Sequence, residues 1–211
     1  VYPKQTIERY TAVFKNAGLT PLSLELEAQA IVRALIRSVD TGIYMIVDFG
    51  KTKTGLSVVN NNVLSFTSTL EVEEEGLTNA IVKHLGVSEK EADKVKNERG
   101  LIKTKDDKEL HKALMSVAES FKNDINRHYK YWRTRTNEKG EQVDPIEKII
   151  ICGGNSNLAG LPEFLSGALK IPVERANVWG KAFSFGVFVP EIDRFSSFSY
   201  ASAIGLALRR N

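Results

Sequence analysis

The segment Val47-Asp48-Phe49-Gly50-Lys51-Thr52-Lys53-Thr54-Gly55 lies at the end of a short apolar run that begins at Tyr44. A continuous run of this length, rich in residues that favour β-structure, predicts a buried strand rather than a helix. The strand would end at Asp48, which places this carboxylate at the rim of a sheet. Ligands of α/β proteins bind at that rim. This segment is therefore the first candidate site in the chain.

The residues that follow the strand are suited to an anion and its metal ion. Gly50 would allow the turn to present backbone N–H groups to an anion, and Thr52 and Thr54 could donate hydroxyl hydrogens. Asp48 could hold Mg²⁺ or the water molecules around it. The alternative is that Asp48 and Thr54 cap a tight β-turn that binds nothing. Taken alone, an isolated Asp-x-Gly motif followed by threonines favours that alternative.

A second candidate site lies where Gly153 and Gly154 directly follow another buried run, Ile149 to Cys152. Two glycines at this point remove the side chains that would keep a planar ring or a phosphate away from the backbone. The spacing differs from a Walker loop and from the dinucleotide fingerprint, and alone it is typical of a tight strand-to-helix turn. Two glycine segments that both end buried strands, about 100 residues apart, favour a nucleotide held by two β-turns.

The remaining pattern predicts strands that alternate with helices. Further strands are expected at Thr54 to Val59, Val63 to Leu70 and Val173 to Arg175, with a hairpin loop at asparagines 60–62 because asparagine tolerates positive φ. Helical spacing of apolar residues predicts helices at Ile7 to Ala17, Leu24 to Leu35, Gly76 to His84, Leu110 to Trp132, Glu163 to Leu169 and Tyr200 to Arg209. A further helix is expected to begin at a cap formed by Ser88. This order predicts an α/β fold around a mixed sheet.

Composition sets broad limits on the function. With 211 residues, 42% of them hydrophobic, the chain can bury a core, which excludes a disordered or fibrous protein. Neither a membrane-spanning stretch nor a signal peptide is evident, and the single Cys152 can form neither an internal disulfide nor a cysteine zinc site. A soluble, intracellular protein is therefore expected. The 29 basic and 26 acidic residues are too evenly balanced to indicate nucleic-acid binding by themselves.

Three features in this order resemble the second half of the actin-like ATPase superfamily: an Asp-x-Gly-x-x-x-Thr hairpin at residues 48–54, a helical insert, and a strand that runs into Gly153-Gly154 with Gly160-Leu161 beyond. Further details resemble the PilM family of type IV pilus assembly, a relative of FtsA of cell division. They are Ala17-Gly18-Leu19 before Leu24-Glu25-Leu26-Glu27-Ala28, Glu91-Ala92-Asp93 with Lys96, and Ile171-Pro172-Val173 with Ala176-Asn177. The resemblance implies an actin-like, ribonuclease H-like fold, with a mixed sheet flanked by helices and a mostly helical insert.

The resemblance also implies roles for individual residues. Asp48, Gly50, Thr52 and Thr54 would form the second phosphate loop, with Asp48 acting on Mg²⁺ or on the attacking water. Glu27 matches a glutamate of the first connecting helix that would position water, and its alternative is a solvent-facing helix charge. Gly153, Gly154 and Asn155 would form the adenosine loop, while Asp93 and Lys96 would cover the adenine and bond the ribose, unless they belong to an ordinary solvated helix face. The implied cofactors are ATP and Mg²⁺.

Some positions depart from the family pattern. Lys51 and Lys53 stand where small or hydroxyl residues are usual, and could either neutralise phosphate oxygens as part of the binding loop or remain solvated. No Asp-x-Gly hairpin for a first phosphate loop precedes Val1, and the chain does not begin with methionine. The expectation is therefore a part of a longer protein. Residues 1–40 would be a remnant of the N-terminal lobe with its connecting helix, and residues 41–211 the second lobe, with the helical insert at about 76–143.

The leading interpretation is the nucleotide-binding portion of a PilM-like cytoplasmic ATPase in the inner-membrane platform of the type IV pilus. Little turnover is expected from this chain alone, because catalysis needs the phosphates clamped between two lobes. The implied partners are a PilN-like inner-membrane protein, bound through its N-terminal tail, other platform proteins and further copies of the chain. These partners would hold it at the inner face of the inner membrane. A catalytically silent scaffold and an FtsA-like cytoskeletal protein are the alternatives.

Basic residues interleaved with aromatic residues near the end of the longest predicted helix raise one more alternative, the binding of single-stranded nucleic acid. They include Arg127, Lys130 and Trp132. Trp132, however, continues an apolar stripe through Phe121 and Ile125, which predicts that it packs in the interior. No nucleic-acid partner is therefore expected.

Overall fold

The fold is built on a five-stranded mixed sheet. A computed structural model describes residues 3–51, 53–70, 75–102, 108–137 and 139–209. The strands are β1 Ile43–Phe49, β2 Thr54–Asn60, β3 Val63–Leu70, β4 Lys148–Cys152 and β5 Val173–Arg175. They lie in the order β3-β2-β1-β4-β5. β2 pairs antiparallel with β1 and β3, whereas β4 lies parallel to β1 and β5, which confirms the predicted mixed sheet.

The hairpin between β2 and β3 turns at two asparagines with positive φ, as predicted. Asn61 and Asn62 have φ of 49° and 64°. The Asn62 amide also donates hydrogen bonds to the backbone oxygens of Arg37 at 2.8 Å and Asp40 at 2.9 Å. This side chain therefore ties the hairpin to the segment that leads into β1.

Helices precede, separate and follow the strands. They are α1 Lys4–Asn16, α2 Glu27–Leu35, α3 Glu75–Leu85, α4 Glu89–Glu98, α5 Lys108–Arg133, α6 Leu161–Leu169, α7 Arg194–Ser197 and α8 Ala201–Ala207, with 3₁₀ turns at Gly154–Asn157 and Phe198–Tyr200. The sequence predicts all of these α-helices except α7. The predicted cap of α4 is confirmed, because Ser88 Oγ accepts a hydrogen bond from the Glu91 backbone N–H at 3.3 Å. Among the described residues, no helix combines the length and apolar character needed to cross a bilayer.

The start of α2 differs from the prediction. Helical spacing placed Leu24 in this helix, but α2 begins at Glu27. The Glu25 side chain, 6% exposed, instead turns inward and accepts hydrogen bonds from Arg33 at 2.6 and 2.7 Å and from Arg209 at 2.8 Å. A further helical turn would move this carboxylate away from its two guanidinium partners, and a buried charge without partners is costly.

Helices cover both faces of the sheet, so β1 is buried on both sides. Met45 and Phe49 belong to one apolar cluster, in which Phe49 stacks on Phe121 of α5 with ring centroids 4.3 Å apart. Ile46 belongs to the opposite cluster, with Ile31 of α2. A strand buried on both faces needs apolar residues at successive positions, which is why a continuous run identified it.

α2 and α8 pack with their backbones in close approach. A Cβ atom added to Gly205 would lie only 1.8 Å from the Ala30 backbone oxygen. Arg33 also donates a hydrogen bond to the Gly205 backbone oxygen at 2.8 Å. The small residues of the last helix predict such an approach, and the structure confirms it.

Trp132 is buried on the inner face of α5, as its place in the apolar stripe predicts. Its side chain is 3% exposed, and its indole N–H donates a hydrogen bond to the Asp144 backbone oxygen at 3.1 Å. Phe121 and Ile125 on the same face are fully buried. The ring of Trp132 is therefore an interior side chain and does not form part of a stacking surface.

Candidate functional site

Asp48 lies at the end of β1, where β1 and β4 present their carboxyl ends side by side. It is paired in register with Cys152 on β4. The fully buried Cys152 thiol points towards Asp48, with Sγ 3.8 Å from Oδ1. The Asp48 carboxylate is half-buried at this rim of the sheet. This is the position that the apolar run predicts for it.

The environment of Asp48 makes its carboxyl harder to ionise than an exposed one. Burial raises the pKa of the Asp48 carboxyl above its ordinary value, and the negative charge of Glu27 raises it further. Lys53 and the Cys152 thiol act in the opposite direction but more weakly. Burial and the nearby Asp48 also raise the pKa of the Cys152 thiol well above its usual range. A bound cation beside Asp48 would favour the charged carboxylate.

Glu27, the first residue of α2, lies beside the same loop. Its Oε1 accepts a hydrogen bond from Ser202 Oγ of α8 at 3.1 Å, and its Oε2 forms an ion pair with Lys53. The Glu27 side chain is 45% exposed. The structure therefore brings Glu27 to the loop that carries Asp48, although it also keeps Glu27 in contact with solvent.

The loop between β1 and β2 has one hydroxyl buried beneath it. Thr54 begins β2, opposite Phe49, and is fully buried. Its Oγ1 has no hydrogen-bond partner among the residues that the structure describes. Thr52, the other predicted hydroxyl, lies outside the described residues. Lys51 extends from the loop to Glu89 at the start of α4, with Nζ 3.4 Å from Oε2.

The two glycine segments are in direct contact with each other. Gly153 has a φ of 82°, and a Cβ atom at this position would lie 2.5 Å from the Phe49 backbone oxygen and 2.7 Å from Asp48 Oδ1. Only glycine combines this conformation with this approach. The end of β4 therefore supports the end of β1, which accounts for Gly153 without reference to a ligand.

Asn155 and Lys96 connect the loop to α4. The Asn155 amide donates a hydrogen bond to the Gly50 backbone oxygen at 2.9 Å, and its Oδ1 accepts one from Lys96 Nζ at 3.2 Å. Lys96 also donates to Asp93 Oδ1 at 2.7 Å. Lys96 is only 5% exposed, so it does not belong to an ordinary solvated helix face. The two hydrogen bonds therefore hold the buried Lys96 amine in a defined position.

A cleft of about 430 Å³ opens between α4, the turn at Gly154–Asn157 and the turn that precedes α8. Five of the predicted site residues line it: Lys51, Asp93, Lys96, Gly154 and Asn155. The other predicted and described residues, Glu27, Asp48, Gly50, Thr54 and Gly153, lie outside its lining. The site thus has two adjoining parts, a cleft and a rim, joined by the Asn155–Gly50 hydrogen bond.

Sequence reasoning missed several residues of the cleft wall, namely Thr78, Asn97, Asn157, Phe195, Ser196, Ser199 and Tyr200. Asn157 is 7% exposed, and its amide donates a hydrogen bond to the Phe195 backbone oxygen at 2.9 Å. Its Oδ1 has no partner within the described part of the chain. Asn157 lies two residues after Asn155 in the glycine segment, and this closeness in sequence could have identified it as a site residue. A cleft with a buried acceptor and a buried lysine can hold a polar ligand.

Comparison with solved structures shows the actin-like fold. The chain matches a structure described as the PilM-PilN type IV pilus biogenesis complex with a TM-score of 0.71 and 22% identity, over 92% of this chain and 54% of that one. It matches the ethanolamine utilization protein EutJ from Carboxydothermus hydrogenoformans with a TM-score of 0.62 and 19% identity, over 98% of this chain and 62% of EutJ. MreB5 of Spiroplasma citri bound to ADP matches with a TM-score of 0.69 and 14% identity, over 98% of this chain and 65% of MreB5.

The chain therefore spans only part of each of these proteins, from 54% to 65% of their length. At these identities the likeness establishes the fold alone. The sequence gives a closer assignment, because a family profile described as "Type IV pilus assembly protein PilM" matches residues 3–211. This match covers nearly the whole chain, and it agrees with the resemblance carried by the two glycine segments. The chain belongs to the PilM family of type IV pilus assembly proteins.

Proposed function

We propose that this chain supplies one side of a nucleotide site, with the nucleoside in the cleft beside α4 and the phosphates at the loop between β1 and β2. Buried Lys96 carries this proposal, because it is held by Asp93 and Asn155 in the wall of a cleft of about 430 Å³. Cavities of roughly 300–1,000 Å³ are typical of small-molecule sites. The lysine also joins α4 to the glycine segment, so a ligand here would contact both.

Groups in the cleft fit a nucleoside. Gly154 has no side chain to fill the space, and a Cβ atom there would lie 3.1 Å from Ser199 Oγ. Asn157 presents a buried oxygen that no described residue satisfies, and a base or ribose can donate a hydrogen to it. Phe195 provides an apolar surface in the same wall, and flat bases pack well on such rings.

The charges around the rim favour binding of a phosphate chain that is complexed with a cation. Lys51, Lys53 and Lys96 face a larger number of carboxylates, namely Glu27, Asp48, Glu89 and Asp93. A bare polyphosphate would therefore meet an excess of negative charge. Mg²⁺ is usually bound through one or two carboxylates together with substrate phosphates. Asp48 is the residue that would hold it. The Thr54 hydroxyl, which has no partner among the described residues, could donate to a phosphate oxygen.

Turnover by this chain alone is expected to be slight. In this proposal residues 41–211 form the second lobe of an actin-like ATPase, with a helical insert at about 76–143, and residues 1–40 are a remnant of the N-terminal lobe with its connecting helix. Phosphates bound on one side only are not held for attack. Glu27 would position the attacking water only when the phosphates are held from both sides, since in this chain it contacts Lys53 and Ser202.

Titration calorimetry with Mg·ATP tests the nucleotide proposal. Gly154→Leu should abolish binding, because the new side chain would fill the cleft. Gly167→Leu in α6 is the matched control, since no described residue of another element lies within 4 Å of a Cβ atom added there. Equal affinity of Gly154→Leu and the unchanged chain would refute the site. Asp48→Asn should weaken binding when Mg²⁺ is present but not when EDTA is added, because the variant then only removes a negative charge from beside the phosphates.

We further infer that a PilN-like inner-membrane protein, with other platform proteins, is the partner that holds the chain at the cytoplasmic face of the inner membrane. The likeness to a solved PilM-PilN complex and the family assignment support this inference. A pulldown with the N-terminal tail of such a protein, with a scrambled peptide as control, tests it. If the peptide captures the chain equally well with and without nucleotide, the chain is a scaffold. If capture requires Mg·ATP, nucleotide controls the contact with the partner.

A further inference from the structure

The loop between β1 and β2 carries two lysines, each paired with a carboxylate on a different helix. Lys53 forms an ion pair with Glu27 at the start of α2. Lys51 lies 3.4 Å from Glu89 at the start of α4. Ion pairs thus link the loop to a helix on each side of it.

Both ion pairs are exposed, which makes them easy to exchange. The side chains are 80% and 71% exposed in the Lys51–Glu89 pair, and 62% and 45% exposed in the Lys53–Glu27 pair. Pairs of this kind contribute little stability, because water screens the charges and long side chains lose freedom. A phosphate group carries more charge than a carboxylate and forms shorter, stronger hydrogen bonds with cations. A phosphate near the loop would therefore compete well for both lysines.

Glu27 would not be left without a partner after such an exchange. Its Oε1 accepts a hydrogen bond from Ser202, whereas Lys53 contacts Oε2. Movement of Lys53 to a phosphate would release Oε2 while Ser202 continued to hold the carboxylate in place. The same movement would remove a positive charge from beside Glu27, next to Asp48.

We propose that Lys51 and Lys53 leave Glu89 and Glu27 to bind phosphate oxygens of the ligand, so that each glutamate competes with the phosphates for its lysine and lowers the affinity of the site for them. This inference rests on the proposed nucleotide site. Lys53 is in addition a positioning residue for Glu27, since it occupies Oε2 until a phosphate attracts it.

A double-mutant cycle separates this exchange from general charge repulsion. Pyrophosphate binding is measured by calorimetry at low salt with Mg²⁺ for Glu27→Gln, Lys53→Met and the double variant. Glu27→Gln should raise the affinity about threefold, since it removes a competitor worth no more than an exposed ion pair. Lys53→Met should lower it about tenfold. In the double variant the gain from Glu27→Gln should vanish, because Glu27 acts through Lys53.

Glu89 and Lys51 form a second cycle with the same expectation, and the crossed pair of Glu89 and Lys53 should be additive. Lys94→Met is the matched control, because Lys94 is 72% exposed, lies outside the loop and faces Glu98. Binding of adenosine should be unchanged in the variants of Glu27, Lys53, Glu89 and Lys94, which lie outside the lining of the cleft. A gain from Glu27→Gln that persists without Lys53 overturns the exchange alone. Failure of the unchanged chain to bind adenosine overturns the nucleotide site itself.

Discussion

Replacement of Gly205 by alanine should destabilise the chain by about 2–4 kcal/mol. The added Cβ atom would lie 1.8 Å from the oxygen and 2.4 Å from the carbonyl carbon of Ala30. Both are backbone atoms, so α2 and α8 would have to separate by roughly 1 Å, and close-packed interiors resist such a shift. Overpacking typically costs about 1–3 kcal/mol. The shift would also strain the hydrogen bond from Arg33 to the Gly205 oxygen, and bonds to charged groups contribute about 1.5–3 kcal/mol.

The intrinsic preference of alanine for a helix offsets about 1 kcal/mol of these losses. The expected fall in melting temperature is about 5–15 °C, since each kcal/mol corresponds to roughly 2–4 °C at this chain length. Urea unfolding followed by tryptophan fluorescence measures the change in free energy directly. Trp132 and Trp179 are both buried and will report the loss of packing.

Gly167→Ala provides the comparison that isolates the contact. This position lies inside α6, and no described residue of another element lies within 4 Å of the added atom, so the substitution should stabilise the chain by about 0.5–1 kcal/mol. If both variants gain stability, or if Gly205→Ala loses less than about 1 kcal/mol, the close approach of α2 and α8 is refuted. A changed urea dependence would indicate instead that the unfolded state had been altered.

Two further predictions concern the dependence of stability on pH. Burial and Glu27 raise the pKa of Asp48, so the folded chain binds more protons there than the unfolded chain, and stability falls as the pH rises from the ordinary carboxyl range through the raised pKa. Asp48→Asn should therefore be more stable than the unchanged chain at pH 7, and the advantage should disappear in urea unfolding at about pH 3.5, near the ordinary carboxyl value. The hydrogen bond from Arg33 lowers the pKa of Glu25, so its contribution is complete above the ordinary carboxyl pKa and is lost as the pH falls through the lowered value. Glu25→Gln should cost about 1–3 kcal/mol at pH 7, and a loss that does not shrink as the pH falls below the ordinary carboxyl range would contradict the ion pair.

The strands were predictable because their signals are local. β1 and β4 are continuous apolar runs since both faces of each strand are covered, and the asparagines between β2 and β3 adopt the positive φ for which they are suited. The start of α2 was not predictable in the same way. It depends on Arg209, which is distant in sequence and reaches Glu25 only in the folded chain.

The cleft shows the same division between local and distant signals. The glycine segment and α4 were identified, but the sequence left open whether Lys96 was positioned or solvated, and its contact with Asn155 across the fold makes it buried. The wall from Phe195 to Tyr200 was missed because it consists of a four-residue helix and a 3₁₀ turn, which are too short to show periodicity. Only the Asp193 cap, which accepts hydrogen bonds from the Phe195 and Ser196 backbone N–H groups at 2.8 and 3.0 Å, marks this helix in the sequence.

A continuous series of hydrogen bonds and an ion pair connects the cleft to the rim, although the sequence predicted them as two separate motifs. Lys96 bonds Asn155, Asn155 bonds the Gly50 oxygen, and Gly50 belongs to the loop whose Lys53 contacts Glu27. Glu27 in turn lies at the end of α2 that also contacts α8 through Ser202. A ligand that draws Lys53 to itself removes one of these contacts, and the hydrogen bond from Ser202 then keeps Glu27 at the packed pair of α2 and α8. Gly205 brings these two helices into backbone contact, so the Glu27–Ser202 hydrogen bond beside the loop joins a pair that is already fixed by close packing.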